Sequence, residues 1–257
     1  MTSADNKNHD FTASAAPYQA LAPIYDQLME HVNYARWADF IAQLLKNYTA
    51  GKRIIELACG TGIMAEKLAE YGYTVDGFDR SAEMIEIAKN RRNHPQLNFQ
   101  TASFLDFPIK GRYDGAVCLY DSINYLMNLS EVISFIQRVK QALKHEGAFI
   151  FDICTRYNSF INFQAFVDEG VIEGFYYHRY SNYDPGTHIH INNFMIYPAG
   201  NPQAIVKEHH QQFIYSVRQI QSAIKKSGMK LEAKFDNITP APPRLKSLRI
   251  HFLSRKV

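Results

Sequence analysis

The sequence predicts an α/β fold, in which a seven-stranded, mostly parallel sheet is doubly wound by helices and an antiparallel β-meander is inserted after the fifth strand. Two observations predict it. Between residues 54 and 153, short apolar segments alternate with segments of helical periodicity, which is typical of parallel strands joined by right-handed crossovers. Between residues 174 and 215, three segments rich in Tyr, His, Ile and Phe are separated by the turn sequences DPG and PAGNP, which indicates antiparallel strands.

Each element has its own signal in the sequence. Apolar residues at helical spacing predict a helical region over 18–48, with a break near 31–34. Gly72 and Gly228 are expected to end helices. Ser81 is a good N-cap for the helix 82–90, which has Glu83 in its first turn. The other predicted helices are 61–71, 82–90, 130–143 and 217–227. The predicted strands are 54–57, 74–78, 97–101, 113–120, 148–153, 230–237 and 247–256 in the core, and 174–182, 187–197 and 205–215 in the meander.

These elements divide the chain into three parts. Residues 1–16 are polar and carry no periodic pattern, so we expect a disordered tail. Residues 17–153 and 216–257 form the predicted core domain. Residues 154–215 form the predicted antiparallel insertion, which we expect to act as a lid. Insertions of this kind vary most freely in sequence and carry substrate specificity.

Composition limits the classes of function. The 257 residues carry a net charge of +3, and their basic residues form no single run, which argues against a nucleic-acid partner. The three cysteines are dispersed and suit a reducing cytoplasm better than a disulfide framework or a zinc site. No apolar run approaches membrane-spanning length. We therefore predict a cytoplasmic protein without a membrane partner, either a monomer or a homodimer paired through exposed meander edges.

The segment 54–79, IIELACGTGIMAEKLAEYGYTVDGFD, indicates a nucleoside-binding loop. Gly60 and Gly62 begin a G-x-G-x-x-A sequence after an apolar strand, and Asp79 ends the next strand, where it can grip two ribose hydroxyls. This pattern fits two ligands. The first is NAD, which would indicate an NAD-dependent oxidoreductase, and the second is S-adenosylmethionine. Glu56 favours the second, because a carboxylate repels a pyrophosphate but attracts a sulfonium and an ammonium. A non-catalytic cofactor-binding protein is a third reading.

The sequences ELACGTG and VDGFDRSAEMIEIAK resemble the first two motifs of class I S-adenosylmethionine-dependent methyltransferases. The order of helix, core, meander and helix is similar to small-molecule methyltransferases with an antiparallel lid, including sugar N-methyltransferases of antibiotic pathways. The resemblance implies a Rossmann-like core and methyl transfer to a nitrogen or oxygen of a small molecule.

The same resemblance implies which residues meet the cofactor. Family members often carry Asp where this sequence has Ser103, so the hydrogen bond from the adenine is accepted either by this serine or by a backbone carbonyl. Met84 fits either adenine contact or packing of helix on sheet. The implied cofactor contacts are Tyr25, Glu56, Ala58, Gly60, Gly62, Asp79, Arg80, Met84, Ser103, Phe104 and Leu119.

Candidates for the acceptor side follow the fourth strand and lie in the meander. Arg179 would suit a carboxylate or phosphate, or a surface ion pair. His210 is a candidate catalytic base, because the resembling enzymes often carry His on the last meander strand; the alternative is a hydrogen-bonded structural histidine. No metal site is predicted, because the alternating His188 and His190 supply only two ligands. The candidate substrate contacts are Asp121, Asn124, Tyr125, Tyr176 and Arg179.

Overall fold

A computed structural model describes residues 13–109 and 112–257. Its strands, in chain order, are β1 (Ala13–Ala15), β2 (Arg53–Leu57), β3 (Thr74–Asp79), β4 (Leu97–Thr101), β5 (Tyr113–Cys118), β6 (Leu143–Cys154), β7 (Phe166–Ile172), β8 (Phe175–Asp184), β9 (Ile189–Pro198), β10 (Val206–Phe213), β11 (Met229–Asp236) and β12 (Arg249–Lys256). Its helices are α1 (Tyr25–Leu28), α2 (Tyr34–Tyr48), α3 (Ile63–Glu70), α4 (Ala82–Arg91), α5 (Leu129–Ala142), α6 (Arg156–Asn162) and α7 (Val217–Lys226). None of the helices in these ranges is long and apolar enough to cross a membrane.

The main sheet has seven strands in the order β4-β3-β2-β5-β6-β12-β11. All neighbouring pairs are parallel except those of β12, which runs antiparallel to both β6 and β11. Alternate residues of the central strands face opposite layers: Ile55 joins a cluster with Phe135, and Ile54 joins one with Trp37 and Leu68. The predicted doubly wound α/β fold is confirmed.

Several predicted element boundaries are also confirmed. Ser81 caps α4 by accepting a hydrogen bond from the Met84 backbone N–H at 3.1 Å. The helical region 18–48 is broken as predicted, since Asn33 caps the start of α2 by accepting from the Arg36 N–H at 3.0 Å. Ser216 and Gln219 form a reciprocal capping box at α7, which fixes where the chain leaves β10 and re-enters the core.

The second sheet, here called the lid sheet, has five strands in the order β1-β10-β9-β8-β7, two more than the sequence predicted. β7 is an edge strand with mostly exposed side chains, so its sequence lacks the alternation that marks a half-buried strand. Residues 13–15, assigned to the disordered tail, instead form β1, which pairs parallel to β10; that assignment is wrong for them. Residues 1–12 of the predicted tail lie outside the described residues.

Candidate active site

Two cavities adjoin at the carboxyl ends of β2, β3 and β5, the edge at which open α/β sheets bind ligands. The first, here called the core cavity, has a volume of about 320 Å³ and is lined by the loop after β2. The second, here called the lid cavity, has a volume of about 830 Å³ and lies between the core and the lid sheet. The two share four wall residues: Tyr18, Tyr25, Tyr120 and Tyr125.

The glycine loop and Asp79 form one hydrogen-bonded unit. The Asp79 carboxylate accepts from the Gly60 N–H and from the Ser81 N–H, each at 2.9 Å. Gly60 lines the core cavity with φ +54°, but Gly62 does not line it, so the structure does not place Gly62 as a cofactor contact. Gly62 has φ +78°, and a Cβ there would lie 2.7 Å from the Phe99 ring. Its lack of a side chain therefore serves backbone geometry and packing.

Glu56 projects from β2 into the core cavity, with only 3% of its surface exposed. Burial and the nearby Asp79 raise the pKa of the Glu56 carboxyl to about 8. Its Oε2 has no hydrogen-bond partner among the described residues. The charged residues of this wall are three acids, Glu56, Asp79 and Glu131, and one base, Arg80. An unpartnered buried carboxyl oxygen in an acidic wall fits a cationic ligand and disfavours a pyrophosphate.

The other predicted cofactor residues lie on the remaining wall of the core cavity. The Ser103 hydroxyl accepts from the Leu105 N–H at 3.3 Å, which leaves its own O–H free to donate. Phe104 packs against Phe135, with ring centres 4.6 Å apart. The wall contains every predicted cofactor contact except Gly62, namely Tyr25, Glu56, Ala58, Gly60, Asp79, Arg80, Met84, Ser103, Phe104 and Leu119.

The Asp26 side chain holds helix α1 against the glycine loop. The Thr61 hydroxyl donates to the Asp26 carboxylate at 2.5 Å, and the guanidinium groups of Arg92 and Arg91 pair with it at 2.5 and 3.1 Å. These bonds hold the preceding residue, Tyr25, against the cavity. Asp26 and its partners were missed from the sequence, since nothing local to Asp26 indicates contacts with residues 61 and 92.

The turn after β5 is held in an uncommon backbone conformation. Tyr120 and Asp121 have φ of +60° and +53°, the left-handed region that side chains other than glycine disfavour. The fully buried Asp152 carboxylate accepts from both of their N–H groups, at 2.7 and 2.9 Å. Arg249 pairs with Asp152 and, at 2.5 Å, with Asp121, and its guanidinium lies 4.5 Å from the Tyr120 ring centre. Asp121 therefore lines the lid cavity as one half of an ion pair.

A line of hydrogen bonds runs from the lid sheet to the shared wall of the two cavities. His210 is 1% exposed; its Nε2 lies 2.9 Å from the Glu208 carboxylate and its Nδ1 lies 2.8 Å from the Tyr125 hydroxyl. The Tyr125 and Tyr18 hydroxyls are 2.7 Å apart. The Glu208 carboxylate, which also accepts from backbone N–H groups, accepts from the Nε2–H of His210, and in the neutral imidazole Nδ1 then accepts from the Tyr125 hydroxyl.

Glu208 also anchors the chain that follows β1. Its carboxylate accepts from the backbone N–H groups of Tyr18 at 2.8 Å and of Leu21 at 3.0 Å, and from that of Ala20. Glu208 is 1% exposed and stands two residues before His210, on the same face of β10. Glu208 was not among the residues predicted for the site, although this alternation is visible in VKEHHQQF.

Two predicted substrate contacts line neither cavity. The buried Asn124 amide donates to the Phe213 carbonyl at 2.7 Å and accepts from the Cys154 N–H at 3.3 Å, so it joins β10 to β6. The Tyr176 hydroxyl donates to Glu169 at 2.6 Å on an exposed face of the lid sheet. Tyr125, Arg179 and His210 do line the lid cavity.

Comparisons with known proteins agree with this geometry. A family profile described as "Methyltransferase domain" matches residues 54–147. The chain is 30% identical over 243 residues to a Bacillus subtilis protein named "Putative methyltransferase YqeM". The aligned region covers 93% of this chain and 97% of that protein. It is 27% identical over 133 residues, 51% of each protein, to a Streptomyces fradiae enzyme named dTDP-3-amino-3,6-dideoxy-alpha-D-glucopyranose N,N-dimethyltransferase.

Solved structures show the same fold. An S-adenosylmethionine-dependent methyltransferase from Clostridium acetobutylicum superimposes with a TM-score of 0.78 at 23% identity, covering 91% of this chain and 97% of that one. A sugar N-methyltransferase from Streptoalloteichus superimposes with a TM-score of 0.74 at 18% identity, covering 93% and 94%. Fold and site define a methyltransferase of the S-adenosylmethionine-dependent class, as the sequence predicted. Given the near full-length relationship to the Bacillus subtilis protein, the chain belongs to that methyltransferase family.

Proposed function

We propose that this chain transfers the methyl group of S-adenosylmethionine to a nitrogen or oxygen of a small molecule held in the lid cavity. The observation that carries this proposal is the pair of adjoining cavities with a shared tyrosine wall. One cavity has the acidic wall that suits the cofactor, and the other faces the lid sheet. Both acceptor atoms stay in the proposal, because relatives include glycine/sarcosine N-methyltransferases and a ubiquinone biosynthesis O-methyltransferase.

The walls of the core cavity fit the cofactor part by part. The free oxygen of Glu56 suits the ammonium group, and Asp79, fixed by the Gly60 and Ser81 N–H groups, suits the ribose hydroxyls. Met84 and Phe104 offer apolar surface to the adenine. When bound, S-adenosylmethionine supplies a methyl group made electrophilic by its positively charged sulfur. The chain's remaining tasks are to align the acceptor and exclude water.

An amine acceptor arrives largely protonated and must lose a proton before it can attack. We assign this step to the hydrogen-bonded series Tyr18, Tyr125, His210 and Glu208. Tyr18 lies on the shared wall, where its oxygen can accept from the acceptor; each hydroxyl then donates to the next group and His210 takes the proton. Burial raises the pKa of both phenols, which keeps them protonated between turnovers. His210 would thus act through tyrosines, because both of its ring nitrogens are engaged.

Calorimetric titration with S-adenosylmethionine, S-adenosylhomocysteine and NAD tests the proposal. We expect the first two to bind and NAD not to bind. Asp79→Asn should lose most of this affinity, whereas Glu86→Gln, which changes an exposed acid on α4, should keep it. The acceptor is then sought by screening small amines and alcohols for transfer of a radiolabelled methyl group. Binding of NAD alone would overturn the proposal, and cofactor binding with no transfer to any small molecule would favour a non-catalytic binding protein.

A further inference from the structure

Arg179 is a half-buried cation in the wall of the lid cavity. It lies on β8, and its guanidinium carbon is 5.5, 5.6 and 5.7 Å from the ring centres of Phe163, Phe166 and Phe194. Burial lowers the pKa of the guanidinium from its ordinary value. Aromatic faces stabilise a cation, but they do not neutralise its charge.

The hydrogen bonds of Arg179 leave one edge of its fork unused. Nε donates to the Ser181 hydroxyl at 3.0 Å and to the Asn192 side-chain oxygen at 2.9 Å, and Nη2 donates to the same oxygen at 2.7 Å. Within residues 13–109 and 112–257, Nη1 makes no hydrogen bond, and no carboxylate lies within 4.0 Å of the guanidinium. Ser181 and Asn192 therefore orient the group without balancing its charge.

The other arginine of this cavity shows the contrast. Arg249 also lines the lid cavity, but it is paired with Asp121 and Asp152. Asp168 stands opposite Arg179 in the strand register, yet its carboxylate accepts from the Tyr177 hydroxyl at 3.3 Å and lies beyond ion-pair distance of Arg179. A half-buried guanidinium with no carboxylate in ion-pair contact among the described residues is a suitable site for an anion.

A buried polar side chain without hydrogen-bond partners among the described residues, His190, lies close to Arg179. His190 is 3% exposed and lines the lid cavity, and its ring packs on Phe163 with centres 4.8 Å apart. Neither of its ring nitrogens has a hydrogen-bond partner among the described residues. Burial and the charge of Arg179 lower the pKa of His190 to about 4, so the ring is neutral at physiological pH and has one N–H to donate.

We propose that Arg179, with His190 beside it, binds an anionic group of the methyl acceptor, either a carboxylate or a phosphate. This inference rests on the proposed function and narrows it to a class of substrate. The lid cavity extends from the shared tyrosines to Arg179, so the nucleophile lies at one end of the acceptor and the anion at the other. Phe163, Phe166 and Phe194 suit an apolar segment near the anionic end. A planar guanidinium with a free edge is suited to carboxylate and phosphate oxygens.

The test uses probes that share a phenyl ring and carry either an anionic or a neutral head group. The full-length protein is first saturated with S-adenosylhomocysteine and then titrated calorimetrically with benzoate, phenyl phosphate or neutral benzamide. We expect one anion to bind at least tenfold more tightly than benzamide, and the better of the two identifies the group the site takes. Arg179→Gln should lose that preference. Arg179→Lys, which keeps the charge but loses the fork, should keep part of it, and the exposed Arg218→Gln should keep all of it.

The binding of S-adenosylhomocysteine, measured first, separates this inference from the proposed function. If S-adenosylhomocysteine binds but benzoate and phenyl phosphate bind no better than benzamide, the anion site is refuted and the methyltransferase function stands. An anion preference that survives in Arg179→Gln likewise refutes the assignment to Arg179. If Arg179→Gln fails to bind S-adenosylhomocysteine because it misfolds, the anion site is tested by the wild-type comparison of charged and neutral probes and by the Arg179→Lys variant.

Discussion

The pH dependence of S-adenosylmethionine binding tests the role of Glu56. Burial and the charge of Asp79 raise the pKa of this carboxyl to about 8. At about pH 7 only roughly a tenth of the Glu56 carboxyl groups are ionised. Fully ionising this carboxyl for a ligand costs about 1.4 kcal/mol, the free energy of one pKa unit. A ligand cation that requires the carboxylate therefore binds about tenfold more weakly at about pH 7 than in solution well above about pH 8.

The assay is calorimetric titration of wild type and Glu56→Gln between about pH 6 and about pH 9. The wild-type affinity should rise by up to about tenfold per pH unit below the pKa and level off above it. Repeating the titration in buffers of different ionisation heat should show nearly one proton released per ligand bound at about pH 7. Glu56→Gln should show only the titration of the ligand's own ammonium, and Glu86→Gln should behave as wild type.

A wild-type affinity that is independent of pH, with no proton released, would refute this reasoning about Glu56. The stability of the unliganded protein offers a second check, because it should fall as pH rises whereas the ligand affinity should increase. The folded state keeps on Glu56 a proton that the unfolded chain, with its ordinary pKa of 4.5, has lost. The contribution of Glu56 to the free energy of unfolding should therefore decline as pH rises from about 4.5 to about 8, and Glu56→Gln should lack that decline.

Three further predictions concern the proton path, the turn after β5 and the glycine loop. His210→Gln should lower kcat by about 10²- to 10⁴-fold and change the pH profile of kcat, while S-adenosylmethionine affinity stays the same; unchanged kcat would remove His210 from the proton path. Asp152→Asn should lower the free energy of unfolding by about 3–5 kcal/mol in urea titration, because it breaks a buried ion pair, and a loss below about 1 kcal/mol would contradict that role. Gly62→Ala should cost more stability than Gly174→Ala, because both glycines have φ +78° but only at Gly62 does a Cβ meet a ring; equal losses would show that φ alone matters.

The sequence predicted the main sheet well, because its signals are local. Buried strands such as β5 form short apolar runs, and amphipathic helices such as α5 show a regular period, so each element is specified by neighbouring residues. β1 and β7 were missed for the opposite reason. They lie at the two edges of the lid sheet with largely exposed side chains, and their strand conformation depends on pairing with β10 and β8.

The core-cavity wall was predictable for a similar reason. Glu56, Gly60 and Asp79 lie within one strand–loop–helix–strand segment, so a motif of this length places them together. Asp152 was within reach of the same reasoning: it is an acid in the apolar strand FIFDIC, the kind of misfit that singled out Glu56.

The lid-cavity wall could not be assembled in this way. Tyr18, Tyr125 and His210 meet through tertiary packing of three distant segments, and no spacing in the sequence encodes their contact. The same limit explains the two misplaced substrate candidates. Asn124 follows the correct strand, but its amide is consumed by backbone groups of β6 and β10.

Arg249 makes the wall shared by the two cavities depend on the strand that is synthesised last. It begins β12, which inserts between β6 and β11, and it is synthesised after every other residue of the two cavity walls described above. Until β12 inserts, Asp121 and Asp152 lack the cation that lies between them, and the left-handed turn at Tyr120 lacks one of its supports. Because Tyr120 lines both cavities, a nascent chain halted before residue 249 leaves both cavity walls incomplete, so the two cavities are completed together by β12.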